Sequence, residues 1–193
     1  MPALQPRRWT STEVRKLRVD NPRLTPRYEL VDGELLVTSS PSALHQRIVS
    51  ALLRALHEYL RATGVGEVYA SPSDVELEPE LMAQPDVFVV PHDEAMRLRK
   101  EDFPAHSLLV AIEVLSPASR RHDQVRKRPK YQRHVQEYWI VDPEARRIER
   151  WRSDDVHAEI CIAQLTWQPP ADVSPFALGV GAMFADVYRE EPE

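Results

Sequence analysis

Cysteine, glycine and lysine are all scarce in this chain, and each shortage narrows what it is. A single cysteine, Cys161, excludes an internal disulfide and a zinc site built from several cysteines. No apolar run approaches the ~20 residues that a membrane-spanning helix needs. The first residues, Met1-Pro2-Ala3-Leu4-Gln5-Pro6-Arg7-Arg8-Trp9, hold no apolar signal core. The expectation is therefore a cytoplasmic protein. Only 4 of the 25 basic residues are lysine, and proline outnumbers glycine by 17 to 5. Stiff loops follow from that bias. Genome base composition produces the same bias, so it carries no functional weight.

Excess positive charge is also lacking. The net charge of −5 argues against a uniformly basic nucleic-acid binder. Its distribution says more. Residues 1–27 carry seven basic side chains against two acidic ones, and residues 118–134 carry seven against Asp123 alone. The rest of the chain is strongly acidic. Either basic segment by itself reads as a solvated helix face.

What is present fits an ordinary globular protein. Of 193 residues, 42% are hydrophobic and 28% charged, enough for one domain with a substantial core. The expected organisation is one domain over 1–193, with an N-terminal arm over 1–26 and a C-terminal extension over 166–193. Thr10-Ser11-Thr12-Glu13 has capping-box spacing, which predicts a helix to about Arg18. Asn21-Pro22 and Thr25-Pro26 break the chain. Tyr28–Val31 and Glu34–Val37, joined by Asp32-Gly33, read as a hairpin with a type I′ turn. Ser40-Pro41-Ser42 opens a helix, with Pro41 expected in its first turn. Leu44, Ile48, Leu52, Ala55, Leu56 and Tyr59 form its buried stripe before Thr63-Gly64 ends it.

Strands are predicted near Glu67–Ala70 and over Asp74–Glu78, Gln84–Val90 and Leu108–Leu115. A short charged helix is expected over Glu94–Lys100, and a second helix from about Arg121 to His134. Glu137–Val141 is another buried strand, and Arg147–Trp151 and Glu159–Leu165 extend the sheet. Ala182–Tyr188 packs as a terminal helix. Helices and strands interleave around one mixed sheet, an α/β (α+β) domain.

Two acids stand out against this background. Leu108–Leu115 is apolar at seven of eight positions, and the eighth is Glu113. Such a run reads as a strand buried on both faces, where an ionised carboxylate must be paired or hold a metal. Asp86 sits in a similar setting, Gln84-Pro85-Asp86-Val87-Phe88-Val89-Val90. Two acids in two apolar strands point to one metal site.

The same residues carry a resemblance. Tyr28-Glu29-Leu30-Val31-Asp32-Gly33-Glu34-Leu35, Ser40-Pro41 followed by His45, and Pro85-Asp86 come first. Glu113-Val114-Leu115-Ser116-Pro117-Ala118-Ser119, Asp123 with Lys127 and Tyr131, and Glu137–Pro143 follow. In this order the chain resembles the PD-(D/E)XK nuclease superfamily, with its restriction-endonuclease-like core. More closely it resembles the bacterial "putative restriction endonuclease" family, formerly a domain of unknown function. The resemblance covers roughly residues 27–143.

It implies a Mg²⁺-dependent endonuclease, with Mn²⁺ as a substitute, that hydrolyses phosphodiester bonds of DNA. Asp86 and Glu113 would hold the ion, with the Val114 carbonyl completing the shell. The superfamily's lysine lies two residues after the second acid, where this chain has Leu115. The resemblance implies that Lys127 on the following helix takes its place. Pro129 lies inside that expected helix, where a proline costs ~3 kcal/mol unless accommodated. Lys127 and Lys130 therefore both remain open as the residue facing the metal.

Glu34 reads as either an extra acid at the site or an ordinary strand-edge charge. His45 either packs near the site or touches phosphate, with packing favoured. Asp123 and Tyr131 read as structural. Arg120, Arg121, Arg126, Arg128 and Lys130 are the expected phosphate-backbone contacts. A homodimer is expected on the ground that cutting two strands takes two sites. The alternative is a catalytically inactive nucleic-acid-binding or interaction protein on a nuclease fold. A non-glycine residue in the turn before Glu137, at His134-Val135-Gln136, would be strained if its φ were positive.

Overall fold

The computed structural model describes residues 7–21, 27–38, 40–79, 81–116, 120 and 122–189. Arg121, the loop 117–119, the breaks at Pro22 and Thr25-Pro26, and the side chain of Asp123 lie outside the described residues.

Local signals are met where the chemistry is local. Thr10 caps α1 (Ser11–Asp20), and Glu13 reaches back to the Thr10 N–H at 2.9 Å, completing the capping box. β1 (Arg27–Val31) and β2 (Glu34–Thr38) form the hairpin. Asp32 and Gly33 at its turn have φ of 53° and 75°. Both central residues of a type I′ turn need that sign. α2 (Ala43–Thr63) is capped by Ser42 and stopped by Gly64 at φ 68°. Pro41 thus precedes the cap instead of sitting in the first turn.

β3 (Gly66–Ala70) and β4 (Val75–Glu78) follow. The apolar stretch 84–90 is not one strand. The chain forms β5 (Leu81–Ala83), breaks across Gln84-Pro85-Asp86, and resumes as β6 (Val87–Pro91) in a different sheet. Pro85 has no N–H to give a ladder, so the change of sheet falls there. α3 (His92–Glu101) leads to β7 (Leu108–Val114), which is buried at every position.

The expected helix after β7 has two parts: a π-helical turn (His122–Lys127) and then α4 (Arg128–His134). Pro129 falls in the first turn of α4, where its missing N–H costs little. β8 (Val135–Asp142) begins at Val135 with φ −120°, so the non-glycine turn is unstrained. β9 (Arg147–Arg152) and β10 (Glu159–Cys161) extend the sheet. The rest of the expected last strand does not. β11 (Gln164–Trp167) leaves to pair with β12 (Phe176–Gly179), and α5 (Val180–Tyr188) follows.

The mixed α+β architecture has a six-stranded sheet in the order β10-β9-β8-β7-β6-β3 and a four-stranded sheet in the order β2-β1-β5-β4. β7 is central, antiparallel to β6 and parallel to β8. One face of the larger sheet packs on α2, β11, β12 and α5, through residues such as Leu52, Ile112, Trp139, Trp167 and Phe184. The other face packs on the smaller sheet, α3 and α4, through Val31, Phe88, Leu98, Tyr131 and Ile140. α1 lies outside the smaller sheet, with Val14 on Leu30 and Met82. Among the described residues no helix is long and apolar enough to cross a membrane.

Candidate active site

Strand alternation aims the acids. On β7, Ile112 and Val114 enter the α2-side core, whereas Ala111 and Leu115 enter the core against the smaller sheet. Glu113 shares the parity of Ala111 and Leu115 and so faces the smaller sheet. Asp86 lies just before β6, where its carboxylate meets the Val114 N–H of β7. β1 supplies the opposing wall with Arg27 and Glu29, and the first turn of α2 supplies His45.

These side chains form two linked groups. Asp86 Oδ1 accepts from Arg27 Nη1 at 3.0 Å. Its Oδ2 lies 3.0 Å from His45 Nε2 and accepts the Val114 N–H at 2.9 Å. In the second group, Lys127 Nζ donates to Glu113 Oε1 at 3.0 Å and lies 2.9 Å from Glu29 Oε2. Glu29 also accepts the Gln84 N–H at 2.8 Å, which ties it to the Gln84-Pro85-Asp86 crossing. Glu29, Asp86, Glu113 and Lys127 are between 1% and 4% exposed, so each charge depends on its partners.

Burial alone would raise the Asp86 carboxyl. The His45 hydrogen bond, the Arg27 charge and the Val114 N–H outweigh it and hold the group down to about 2, against an ordinary 3.8. Arg27 is desolvated, yet the negative charges of Asp86, Glu29 and Glu113 hold it above its ordinary value. A depressed carboxyl stabilises the fold above its unfolded value and loses that contribution as pH falls through the folded one. For Asp86 the window runs from about pH 4 down to about pH 2. In thermal melts, the stability gap between wild type and Asp86→Asn is expected to be full at neutral pH and to close across that window. A gap independent of pH would show that Asp86 is not held ionised by this network.

The structure separates the two candidate lysines. Lys127 meets the acids. Lys130 turns away to Asp32 and to Glu78, the latter at 3.0 Å. The handover from π turn to α-helix lets Pro129 follow Lys127 without breaking the helix. Glu34 does not join the site: it is exposed and ion-paired to Arg126. The acid brought beside Lys127 is instead Glu29, five residues earlier, which the sequence reading passed over.

The basic segment is also largely committed within the molecule. Arg128 stacks on Trp151 at 4.3 Å and bonds Gln132, and Arg120 is forked onto Asp142 with a further bond to Glu144. Arg126 and Lys130 are paired as above. Of the expected phosphate contacts, Arg120 alone among these four lines the cleft.

That cleft has a volume of about 450 Å³. Its floor is Asp86, Glu113 and Lys127; its walls include Arg27, His45 and Arg120. Val114 also lines it, but the Val114 group seen engaged is its N–H, on Asp86. Among the described residues no set of three or more His, Cys, Asp or Glu side chains is arranged to hold a metal ion. The donors fit an ion that needs fewer. Mg²⁺ commonly binds through one or two carboxylates, keeping waters and taking substrate phosphate oxygens. The charges fit as well. The carboxylates Asp86, Glu113 and Glu29 outnumber the cations Arg27 and Lys127, which leaves room for a further cation.

The fold and cleft thus define a mixed-sheet α+β protein with a buried acid–lysine cluster at the end of its central strand. The chain belongs to the Uma2 family, described as "Putative restriction endonuclease", whose model matches residues 14–179. It is similar to a crystal structure described as a "putative nuclease belonging to DUF820 from Anabaena variabilis ATCC 29413". The TM-score is 0.67 at 18% identity, covering 88% of this chain and 96% of the other, a likeness of fold. No curated protein matches the chain.

Proposed function

We propose that this protein is a Mg²⁺-dependent endonuclease that hydrolyses phosphodiester bonds of DNA, with Mn²⁺ able to substitute. The observation that carries the reading is the convergence of Asp86, Glu113 and Lys127 on one cleft. Asp86 and Glu113, with the Val114 carbonyl, are the proposed ligands. When bound, the ion would polarise a phosphate oxygen and acidify a water.

The chain's own groups have distinct tasks in this scheme. Arg27, His45 and the Val114 N–H fix both oxygens of Asp86, so its orientation is set before substrate arrives. Glu29 and Glu113 hold the Lys127 ammonium at the cleft floor. There it orients a water or offsets charge growing on the phosphate. Arg120 stands at the wall to meet a neighbouring phosphate. Cutting both strands takes two such sites, which favours a homodimer.

A second reading is a nuclease-fold protein that binds nucleic acid without cutting it. The full engagement of both Asp86 oxygens by donors favours it, since an ion would have to share them. Incubation of plasmid DNA with the purified protein separates the two. Nicking or linearisation with Mg²⁺ or Mn²⁺, abolished by EDTA, is expected. Salt-sensitive DNA binding with no turnover in either metal would overturn the nuclease reading in favour of the second.

A further inference from the structure

The cations of the cleft and of the basic segment beside it are nearly all spoken for. Lys127, Lys130, Arg120, Arg126 and Arg27 each have acidic partners. A long duplex needs phosphate contacts beyond the cleft, and they must come from cations that are exposed and weakly committed.

The exposed face of α2 carries them. Arg47, Arg54 and Arg61 are all exposed and lie seven residues apart. That spacing keeps them on one face, with ~10.5 Å of helix rise between neighbours. The axial rise per phosphate along one DNA strand is about 3.4 Å, so each interval matches about three phosphates. Glu58 is the sole acid in α2. Among the described residues no ion pair involves Arg47 or Arg61. Arg54 has one partner, Asp186 at 3.4 Å, and both side chains are well over half exposed. A pair so open to water holds the arginine weakly.

The row is continuous with the cleft. Ser42, Leu44 and His45, at the start of α2, line the cleft wall. Arg47 follows Leu44 by three residues and is its neighbour on the helix surface. Between α2 and α5 a shallow groove is lined by Arg47, Arg54 and Arg189 against Asp186, so positive charge also dominates beside the row.

We propose that the Arg47–Arg54–Arg61 row of α2 is a phosphate-backbone track for the DNA strand leaving the cleft. The proposal rests on the nuclease reading for its partner, but its test needs no turnover. Binding of a fluorescent DNA duplex would be measured by anisotropy in EDTA, across a salt series. Three proteins would be compared: wild type, the triple variant Arg47→Ala/Arg54→Ala/Arg61→Ala, and a control triple, Lys16→Ala/Lys100→Ala/Arg133→Ala. The control removes the same charge from exposed positions on α1, α3 and α4, beyond the opposite face of the larger sheet.

The α2 triple is expected to weaken binding by about tenfold or more at low salt. It should also flatten the plot of log affinity against log salt by about 2 to 3 units, one for each lost phosphate contact. The control is expected to stay near wild type. Equal weakening by both triples would reduce the row to general charge and overturn the track, as would an α2 triple that binds like wild type. If the α2 triple melts early, Arg47→Ala and Arg61→Ala singly carry the comparison, each expected to lower the slope by about 1. A wild type that binds through this row but never cuts leaves the track standing and removes the nuclease. A wild type that cuts while the α2 triple binds unchanged does the reverse.

Discussion

Lys127→Met is expected to destabilise the protein by about 3–5 kcal/mol, because it leaves buried carboxylates without their cation. Lys127 Nζ lies within 3.0 Å of both Glu29 and Glu113, and all three side chains are at most 5% exposed. Methionine fills much of the same volume, so a cavity adds little and the loss is electrostatic. For a chain of this size the melting temperature is expected to fall by about 10 °C. A double-mutant cycle isolates the cause. Adding Glu29→Gln to Lys127→Met removes one of the stranded charges, so the double variant should be more stable than the sum of the single changes predicts. A coupling of 1 kcal/mol or more is the expected order. Strictly additive effects, measured by denaturant titration, would mean that the contact carries no weight in the fold. This result concerns stability alone and holds whether or not the protein cuts DNA.

The trio also shows where the sequence was informative and where it was not. Asp86 and Glu113 stood out because each interrupts an apolar run, and a charge there must have a reason. Glu29 escaped notice because its strand looks half-buried. The alternation Tyr28-Glu29-Leu30 by itself would put Glu29 on the polar face of such a strand. In the structure β1 is covered on both sides: Leu30 packs under α1, while Val31 enters the core toward the larger sheet. Glu29 shares the parity of Val31, so the packing of the larger sheet on that face, a contact between segments distant in the sequence, turns Glu29 inward.

A similar limit applies to the basic segment 118–134. Its composition was plain, but its partners were not. Lys130 meets Asp32 and Glu78, and Arg126 meets Glu34. Those acids lie about 50 to 100 positions away in sequence, so no local pattern pairs them. By contrast, the Asp32-Gly33 turn, the Thr10–Glu13 box and the Gly64 stop are decided within four residues, and each was legible. Pro129 sat between these cases. Its presence was a clear warning of a break, but a π turn ending at Lys127 is not encoded in any short motif. That turn sends Lys127, not Lys130, to the acids.

Glu113→Gln is expected to lower metal-dependent DNA cleavage by about a thousandfold or more. The reasoning starts from burial. Glutamine keeps the volume and one oxygen, so Lys127 retains Glu29 and a carbonyl acceptor, and the fold should survive. What is lost is one anionic oxygen donor of the proposed pair, and with it much of the local attraction for a divalent ion. Metal assistance of this kind supplies several kcal/mol of transition-state stabilisation, and each ~1.4 kcal/mol is a factor of ten in rate. Binding of the duplex in EDTA should barely change, because the α2 row and Arg120 are untouched. The expected signature is therefore a collapse of cleavage at nearly constant DNA affinity, accompanied by weaker Mn²⁺ binding in calorimetry. Asp86→Asn should match the loss of cleavage but also disturb the His45 and Arg27 contacts, so Glu113→Gln is the cleaner test. Equal cleavage by wild type and Glu113→Gln in a matched Mg²⁺ assay would remove Glu113 from the chemistry and leave the cluster as a structural knot between the two sheets.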